Sequence, residues 1–298
     1  MTTRWRLLDC GPRPGDHNMA LDRVLSERVA AGGAEPILRF YSWDKPTLSF
    51  GRMQHPPPEL LRRCRDLGVA AVRRPTGGKA ILHHREVTFS IIAPAAGLGS
   101  VMQSYRTFAR AIAAGLRGLG VEVKLCDAMG ARFPLARSPC DRHGGLGLAD
   151  RAKSSRPACG GQSFRTCPPV AEKSRPVAAP GTALLCFADP AGCDLEADGR
   201  KLVGSAQARR GPALLQQNSL PLRLAHELKD DLFGAVAQEE ARLATDLFSA
   251  LGREPSFAEV RDAIVAGFGA ELGIEFESGP VSADESAAAQ KLRPACVL

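Results

Sequence analysis

The sequence predicts an α+β protein: a mixed, largely antiparallel sheet flanked by helices, with a helical C-terminal part. Three observations carry this. Short runs rich in β-branched and aromatic residues recur between turn residues from the N-terminal region to about residue 222. Stretches with apolar residues three and four apart lie between those runs. Beyond residue 225 the chain is dominated by helix formers.

Taken in order, Asp16 is expected to cap a helix over 17–31, with Leu21, Val24, Leu25 and Val29 as its apolar stripe and Gly32-Gly33 as its end. Residues 37–43 and 47–50 read as strands joined across Asp44-Lys45-Pro46, and 59–66 as a short helix with Pro58 near its first turn. Strands follow at 69–72 and 87–92. Ser100 is placed to cap a long helix carrying Tyr105, Phe108, Ile112, Leu116 and Leu119, and 121–125 returns to the sheet. Periodicity vanishes over 127–180, which reads as a basic, mobile insertion. A strand is expected at 182–188, then a hairpin turned at Asp198-Gly199 and a further strand over 213–222 after Gly211-Pro212, an antiparallel meander. The remainder reads as helix over 225–251, a capping box at Ser256–Glu259 opening a helix to about Leu272, a short strand at 274–277 and a last helix from Ser282. The domain reading is a catalytic part, 1–225, and a helical extension of the same domain, 226–298.

Composition narrows the class. With 298 residues and 44% hydrophobic content the chain can bury a sizeable core. No run of eighteen apolar residues or signal-peptide h-region occurs, and the last cysteine stands third from the end, so the expectation is a cytoplasmic chain with no membrane span or prenyl anchor. Nine cysteines, an odd number without a Cys-x-x-Cys pair, are expected to be free thiols and to hold no metal. The net charge of +7 invites a nucleic-acid partner, but residues 127–180 hold nine Lys and Arg against four Asp and Glu, which accounts for most of the surplus. At 5% aromatic residues there is no stacking platform either, so no nucleic acid is expected.

Chemistry concentrates in two glycine-associated stretches. Arg73-Arg74-Pro75-Thr76-Gly77-Gly78-Lys79 leads to His83 between two strands. A proline that fixes φ and glycines that take positive φ let bare backbone amides approach a ligand, a cradle for a carbonyl oxygen or a phosphate; the plainer reading is a tight loop with surface arginines. Lys201-Leu202-Val203-Gly204-Ser205-Ala206-Gln207 begins just after a tight turn. Neither is a P-loop or a dinucleotide fingerprint, and no Gly-x-Ser-x-Gly elbow occurs, which disfavours a generic ATPase, a Rossmann enzyme and a serine hydrolase.

These stretches, with Asn18-Met19-Ala20-Leu21-Asp22, Leu38-Arg39-Phe40-Tyr41-Ser42-Trp43 and Glu86-Val87-Thr88-Phe89-Ser90, resemble the lipoate-protein ligase and octanoyltransferase family, which shares its fold with biotin protein ligases. Cys186-Phe187, Asp194-Leu195, Gly199-Arg200-Lys201 and Gly204-Ser205-Ala206-Gln207 are most similar to the cysteine-dependent octanoyltransferase branch of the LipM type. The resemblance implies a nucleophile at Cys186, with Cys193 the rival thiol, and Lys201 against the acyl carbonyl. It implies a substrate pocket walled by Arg73, Arg74, Thr76, Gly77, Gly78, His83, Gly204, Ser205 and Ala206. It further implies an acyl carrier protein as donor, a glycine-cleavage H protein or lipoyl domain as acceptor, and no cofactor. The alternative is an ATP-dependent ligase working through a lipoyl adenylate with ATP and magnesium; a binding module without catalysis is the third reading. Where relatives commonly carry His-Gly in the last strand, this chain has Gln217-Asn218, and its 127–180 stretch is longer and more basic than the family's.

Overall fold

Nine strands join in one sheet and three in a second among the residues that the computed structural model describes, 3–126, 132–133 and 194–298. The strands are β1 (Thr3–Arg13), β2 (Ile37–Trp43), β3 (Thr47–Phe50), β4 (Ala70–Arg73), β5 (Ile81–His83), β6 (Glu86–Pro94), β7 (Lys124–Cys126), β8 (Arg132–Phe133), β9 (Leu195–Ala197), β10 (Arg200–Arg210), β11 (Ala213–Pro221) and β12 (Ile274–Ser278). The helices are α1 (Gly15–Ala30), α2 (Pro58–Asp66), α3 (Val101–Gly118), α4 (His226–Phe233), α5 (Ala235–Leu243), α6 (Leu247–Leu251), α7 (Phe257–Leu272) and α8 (Ala283–Leu292).

The large sheet runs β12-β1-β2-β6-β11-β10-β9-β7-β8, parallel where β1 meets β12 and β2 and antiparallel at its other junctions. The expected α+β architecture holds. In the small sheet β3 pairs parallel with β4 and antiparallel with β5. Residues 37–43 and 47–50 therefore form strands as expected, but the turn between them carries the chain from one sheet to the other.

Alternation along the central strands sorts side chains to two faces. Leu38, Phe40, Val87, Phe89, Ile91 and Leu214 face α3 and α7, whose Phe108, Ile112, Leu116, Ile264 and Phe268 complete that core. Ile37, Tyr41, Ile92 and Leu215 face α1, with Met19, Leu21 and Leu25. A third cluster, Leu48, Phe50, Leu60, Cys64, Leu82 and Leu232, packs the small sheet on α2 and α4.

Capping boxes at Ser100–Gln103, Ser256–Glu259 and Ser282–Glu285 start α3, α7 and α8 where the sequence places them. The expected hairpin is present too: Asp198 and Gly199 have φ of 51° and 73°, the paired positive values of a type I′ turn. Asp16 does not cap α1. The helix begins at Gly15, after an extended Pro14, and the Asp16 carboxylate accepts from Arg293 Nε at 2.8 Å. Gly15 is needed there because a Cβ would stand 2.7 Å from Thr47 Cγ2. Residues 225–251 break into three helices, with Gly234 at a φ of 55° between α4 and α5. The expected strand at 182–188, and Cys186 and Cys193 with it, lies outside the described residues. Among the described cysteines, Cys10, Cys64 and Cys296 are free thiols. No helix among the described residues is long and apolar enough to cross a membrane.

Two glycines set the crossing of α3 and α7. A Cβ at Gly267 would sit 2.3 Å from the Ala111 carbonyl oxygen, and one at Gly115 would sit 2.4 Å from that of Ala263. Overpacking of this kind costs roughly 1–3 kcal/mol, so Gly267→Ala is expected to lower the urea midpoint by that much stability with the slope unchanged.

Candidate active site

The α1-facing side of the large sheet is polar where its central strands would otherwise be apolar. Arg39 and Tyr41 of β2, Glu86, Thr88 and Ser90 of β6, and Gln217 and Ser219 of β11 are all buried there. The small sheet closes over this surface. Between the two lies a narrow pocket of about 10 Å³, room for about one water molecule. Tyr41, Trp43, Ala206 and Met19 supply apolar walls, and Ser49, Arg74 and His83 line the side given by the small sheet.

One buried ion pair fixes the floor. Arg39 donates from Nη1 to Asp22 Oδ1 at 2.6 Å and from Nη2 to Asn18 Oδ1 at 2.7 Å, and both charged side chains are wholly buried. Burial works against the Arg39 charge, but the carboxylate outweighs it and holds the guanidinium above its ordinary pKa. Asp22 Oδ2 accepts from Ser90 Oγ at 2.6 Å, Gln217 Nε2 at 2.7 Å and Tyr41 OH at 3.0 Å. Burial, then the Asp22 charge, push the Tyr41 phenol well above its ordinary pKa, so the hydroxyl stays a donor. Gln217 also accepts from Thr76 Oγ1 at 2.7 Å, which ties the 73–79 loop to the floor.

The loop itself is folded around Arg74. This buried guanidinium donates to the carbonyls of Gly77 at 2.7 Å, Lys79 at 2.6 Å and Ser49 at 3.0 Å, and to Ser49 Oγ at 3.2 Å. Gly78 takes a φ of 87°. Its carbonyl lies so near Gly51 that a Cβ there would stand 2.0 Å away. Arg73 reaches the carbonyls of Gln54 at 2.6 Å and Arg52 at 3.2 Å and does not line the pocket. Both arginines thus bind the protein's own carbonyls rather than standing on the surface of a simple turn, the plainer of the two readings of this loop.

His83 is buried between Trp43, stacked on it at 4.0 Å, and two hydrogen-bond partners. Its Nδ1 is 2.7 Å from Glu86 Oε1 and its Nε2 is 2.7 Å from Ser49 Oγ. Glu86 also accepts from Ser219 Oγ at 2.7 Å, from Trp43 Nε1 at 3.2 Å and from Thr88 Oγ1. Burial opposes its ionisation, but His83 and the hydroxyl donors outweigh this and hold its pKa below the ordinary 4.5.

Lys201 reaches the same face by a bulge. Gly204 pairs with Ser219 and Ala206 with Gln217, so both share the pocket face, while Ser205 Oγ donates to Asn218 Oδ1 on the other. The register of β10 against β9 shifts between Lys201 and Val203, and Leu202 and Val203 both enter the α3-side core. The extra residue returns Lys201 to the side of Gly204 and Ala206. There its Nζ is 2.8 Å from Asp194 Oδ2, at 3% side-chain exposure.

Comparison with known proteins shows the family and the fold. Residues 14–144 match the lipoyl protein ligase A/B catalytic domain. A protein named octanoyltransferase LipM from Symbiobacterium thermophilum is 35% identical over 98% of this chain and 95% of its own length. The chain belongs to this family. A second octanoyltransferase LipM, from Kyrpidia tusciae, is 32% identical over 97% of this chain and 94% of its own. Among solved structures, lipoate-protein ligase A bound with ATP superposes with a TM-score of 0.67 at 20% identity, covering 99% of this chain and 95% of that one. A bipartite lipoate protein ligase with its E2 lipoyl domain from Thermoplasma acidophilum gives 0.62 at 20% identity, covering 99% and 92%. At such identities the two share the fold.

Within this family fold, Arg74, His83 and Ala206 line the pocket among the residues named from the sequence. Thr76 braces its floor through Gln217, and Gly77 and Gly78 shape the loop beside it. The sequence reading omits Met19, Tyr41, Trp43, Ser49, Ile81, Thr88 and Ser219 from the lining, and Glu86 behind it, while Gln217 enters it only as a departure from the family's pattern. Their signal is parity: Thr88 and Ser90 alternate with Val87, Phe89 and Ile91 in a strand buried on both faces.

Removing one member of a buried ion pair costs roughly 3–5 kcal/mol, so Asp22→Ala is expected to destabilise by that order in urea. Asp22→Ala with Arg39→Met is expected to cost less than the two single changes together, because no buried charge is left alone. Glu86 has its pKa lowered by folding, so its contribution is present above about pH 4.5 and lost as pH falls through the folded value. Glu86→Gln is expected to flatten the slope of stability against pH below about 4.5, read from urea midpoints across that range.

Proposed function

We propose that this chain moves an octanoyl group from acyl carrier protein, through a thioester on Cys186, to a lysine of a lipoyl-accepting protein in lipoate biosynthesis. Full-length similarity to octanoyltransferases supports the reaction, and the lipoyl domain named with a structural neighbour supports the class of acceptor. The acceptor is a glycine-cleavage H protein or a lipoyl domain. The observation that carries the reading is Lys201: a surface ammonium would be solvated, whereas this one is buried on the pocket face beside Asp194.

The chemistry needs no ATP. Octanoyl arrives as a thioester, exchange onto another thiol is nearly isoenergetic, and the final amide is the stable product. A cysteine thiol with a pKa near ~8.5 is mostly protonated at neutral pH, and an ammonium brought near it raises the thiolate fraction. Burying the alkyl chain at ~0.8 kcal/mol per methylene holds the acyl group by about 5 kcal/mol while one protein partner leaves and the next arrives. Tyr41, Trp43, Met19 and Ile81 are the apolar surfaces that meet it.

Incubation with octanoyl carrier protein is expected to add one octanoyl mass that hydroxylamine removes and that Cys186→Ala lacks. Persistence of the adduct in Cys186→Ala would rule out that nucleophile. Transfer to an H protein is expected without nucleotide; a strict need for ATP and free octanoate would replace this reading with the adenylating ligase. Lys201→Ala is expected to slow transfer by on the order of 100-fold, as removal of a preorganised charge does elsewhere.

A further inference from the structure

Proton accounting behind the pocket identifies a group that packing alone does not require. Glu86 accepts from Trp43, Thr88 and Ser219 as well as from His83, so the imidazole proton it receives is the one on Nδ1. In the neutral imidazole Nε2 is then a lone pair, and it faces the Ser49 hydroxyl at 2.7 Å. Arg74 Nη1 donates to the same oxygen at 3.2 Å. Ser49 Oγ is therefore polarised from both sides: the imidazole draws its proton away and the guanidinium stabilises the negative charge that builds on it. A serine that only joined β3 to β5 would need neither. Ser49, His83 and Arg74 all line the pocket, and Trp43 stacked on the imidazole holds the ring in plane.

We infer that Ser49, His83 and Glu86 form a proton relay for the second half of the transfer, an assignment that rests on the octanoyl-transfer reading. When the acceptor amine attacks the acyl carbonyl, a C–N bond forms and the C–S bond of the thioester breaks. The proton released by the amine passes to Ser49 Oγ as the hydroxyl proton of Ser49 passes to His83 Nε2. The resulting imidazolium is held by the Glu86 carboxylate, and the proton returns by the same path to the departing thiolate. Ser49 is the catalytic residue in this scheme, and His83 and Glu86 act through it.

The test separates loading from transfer. Full-length enzyme is loaded from octanoyl carrier protein, the adduct is checked by intact mass, and its single-turnover decay onto a lipoyl-accepting protein is followed in mixtures of light and heavy water. In the wild type, transfer is expected to give a curved dependence on deuterium fraction, the mark of more than one proton in flight. Ser49→Ala is expected to slow transfer by on the order of 100-fold, with loading affected far less and the dependence straightened. Glu86→Asp is expected to recover transfer that Glu86→Gln loses. Should these variants fail to fold, nitrogen NMR of His83 in the wild-type chain decides: an Nδ1–H tautomer is expected, and an Nε2–H tautomer overturns the relay. A wild-type rate and curvature in Ser49→Ala also overturn it, as does octanoyl mapped to Ser49 itself. A wild type that moves no octanoyl at all removes the functional reading and the relay together, and that result is visible before any variant is made.

Discussion

The Asp22–Arg39 pair is the constraint on which the rest of the α1-facing side depends. Two opposite charges buried without solvent persist only if their remaining hydrogen-bonding capacity is met by the protein. Asn18 meets it for the guanidinium, and Tyr41, Ser90 and Gln217 meet it for the carboxylate. Those partners come from α1, β2, β6 and β11, so satisfying one ion pair sets the helix against three neighbouring strands at once. Thr76 joins through Gln217, and the arginine-glycine loop is thereby registered against the same floor. The pocket is the space this arrangement leaves where the small sheet cannot reach the large one.

The same accounting explains why the 73–79 loop is built around arginines. A loop carried between two sheets turns carbonyls inward, and each buried carbonyl needs a donor. Arg74 supplies the carbonyls of Ser49, Gly77 and Lys79, and Arg73 those of Gly51, Arg52 and Gln54. Five donors in a fixed plane suit this task, and a lysine would not reach three diverging oxygens with the same geometry. The loop is consequently a rigid wall, stiffened further by the close approach of Gly51 and Gly78.

Much of the fold was legible in the sequence because its signals are local. Capping boxes, the Asp198-Gly199 turn and the apolar periods of α3 and α7 are each decided by residues within a few positions of one another. The passage from β2 to β3 reads as a turn in sequence, yet pairing with β6 on one side and with β4 and β5 on the other sends the two strands to different sheets. The site is less legible for the same reason. Gln217 meets Asp22 and Thr76 across 195 and 141 positions of sequence, and Ser49 meets His83 across 34. Motif resemblance identified Arg74, His83 and Lys201 as notable and marked Gln217 as a departure, but the roles of Glu86, Ser49 and Gln217 emerge only once their partners are known.

Gln217 joins the floor to the loop by two hydrogen bonds of opposite sense. It must donate to Asp22 and accept from Thr76 at the same time, and a side-chain amide carries both functions on one planar group. A histidine could do so only in one neutral tautomer, since an imidazolium has no acceptor to offer Thr76. With glutamine the link between the floor and the loop is indifferent to protonation, and the imidazole of the pocket wall is that of His83, whose orientation Glu86 controls. Asn218, on the opposite face, accepts from Ser205 and Gln216 and donates to the Phe89 carbonyl, so it secures β10 to β11 and β6 without entering the pocket.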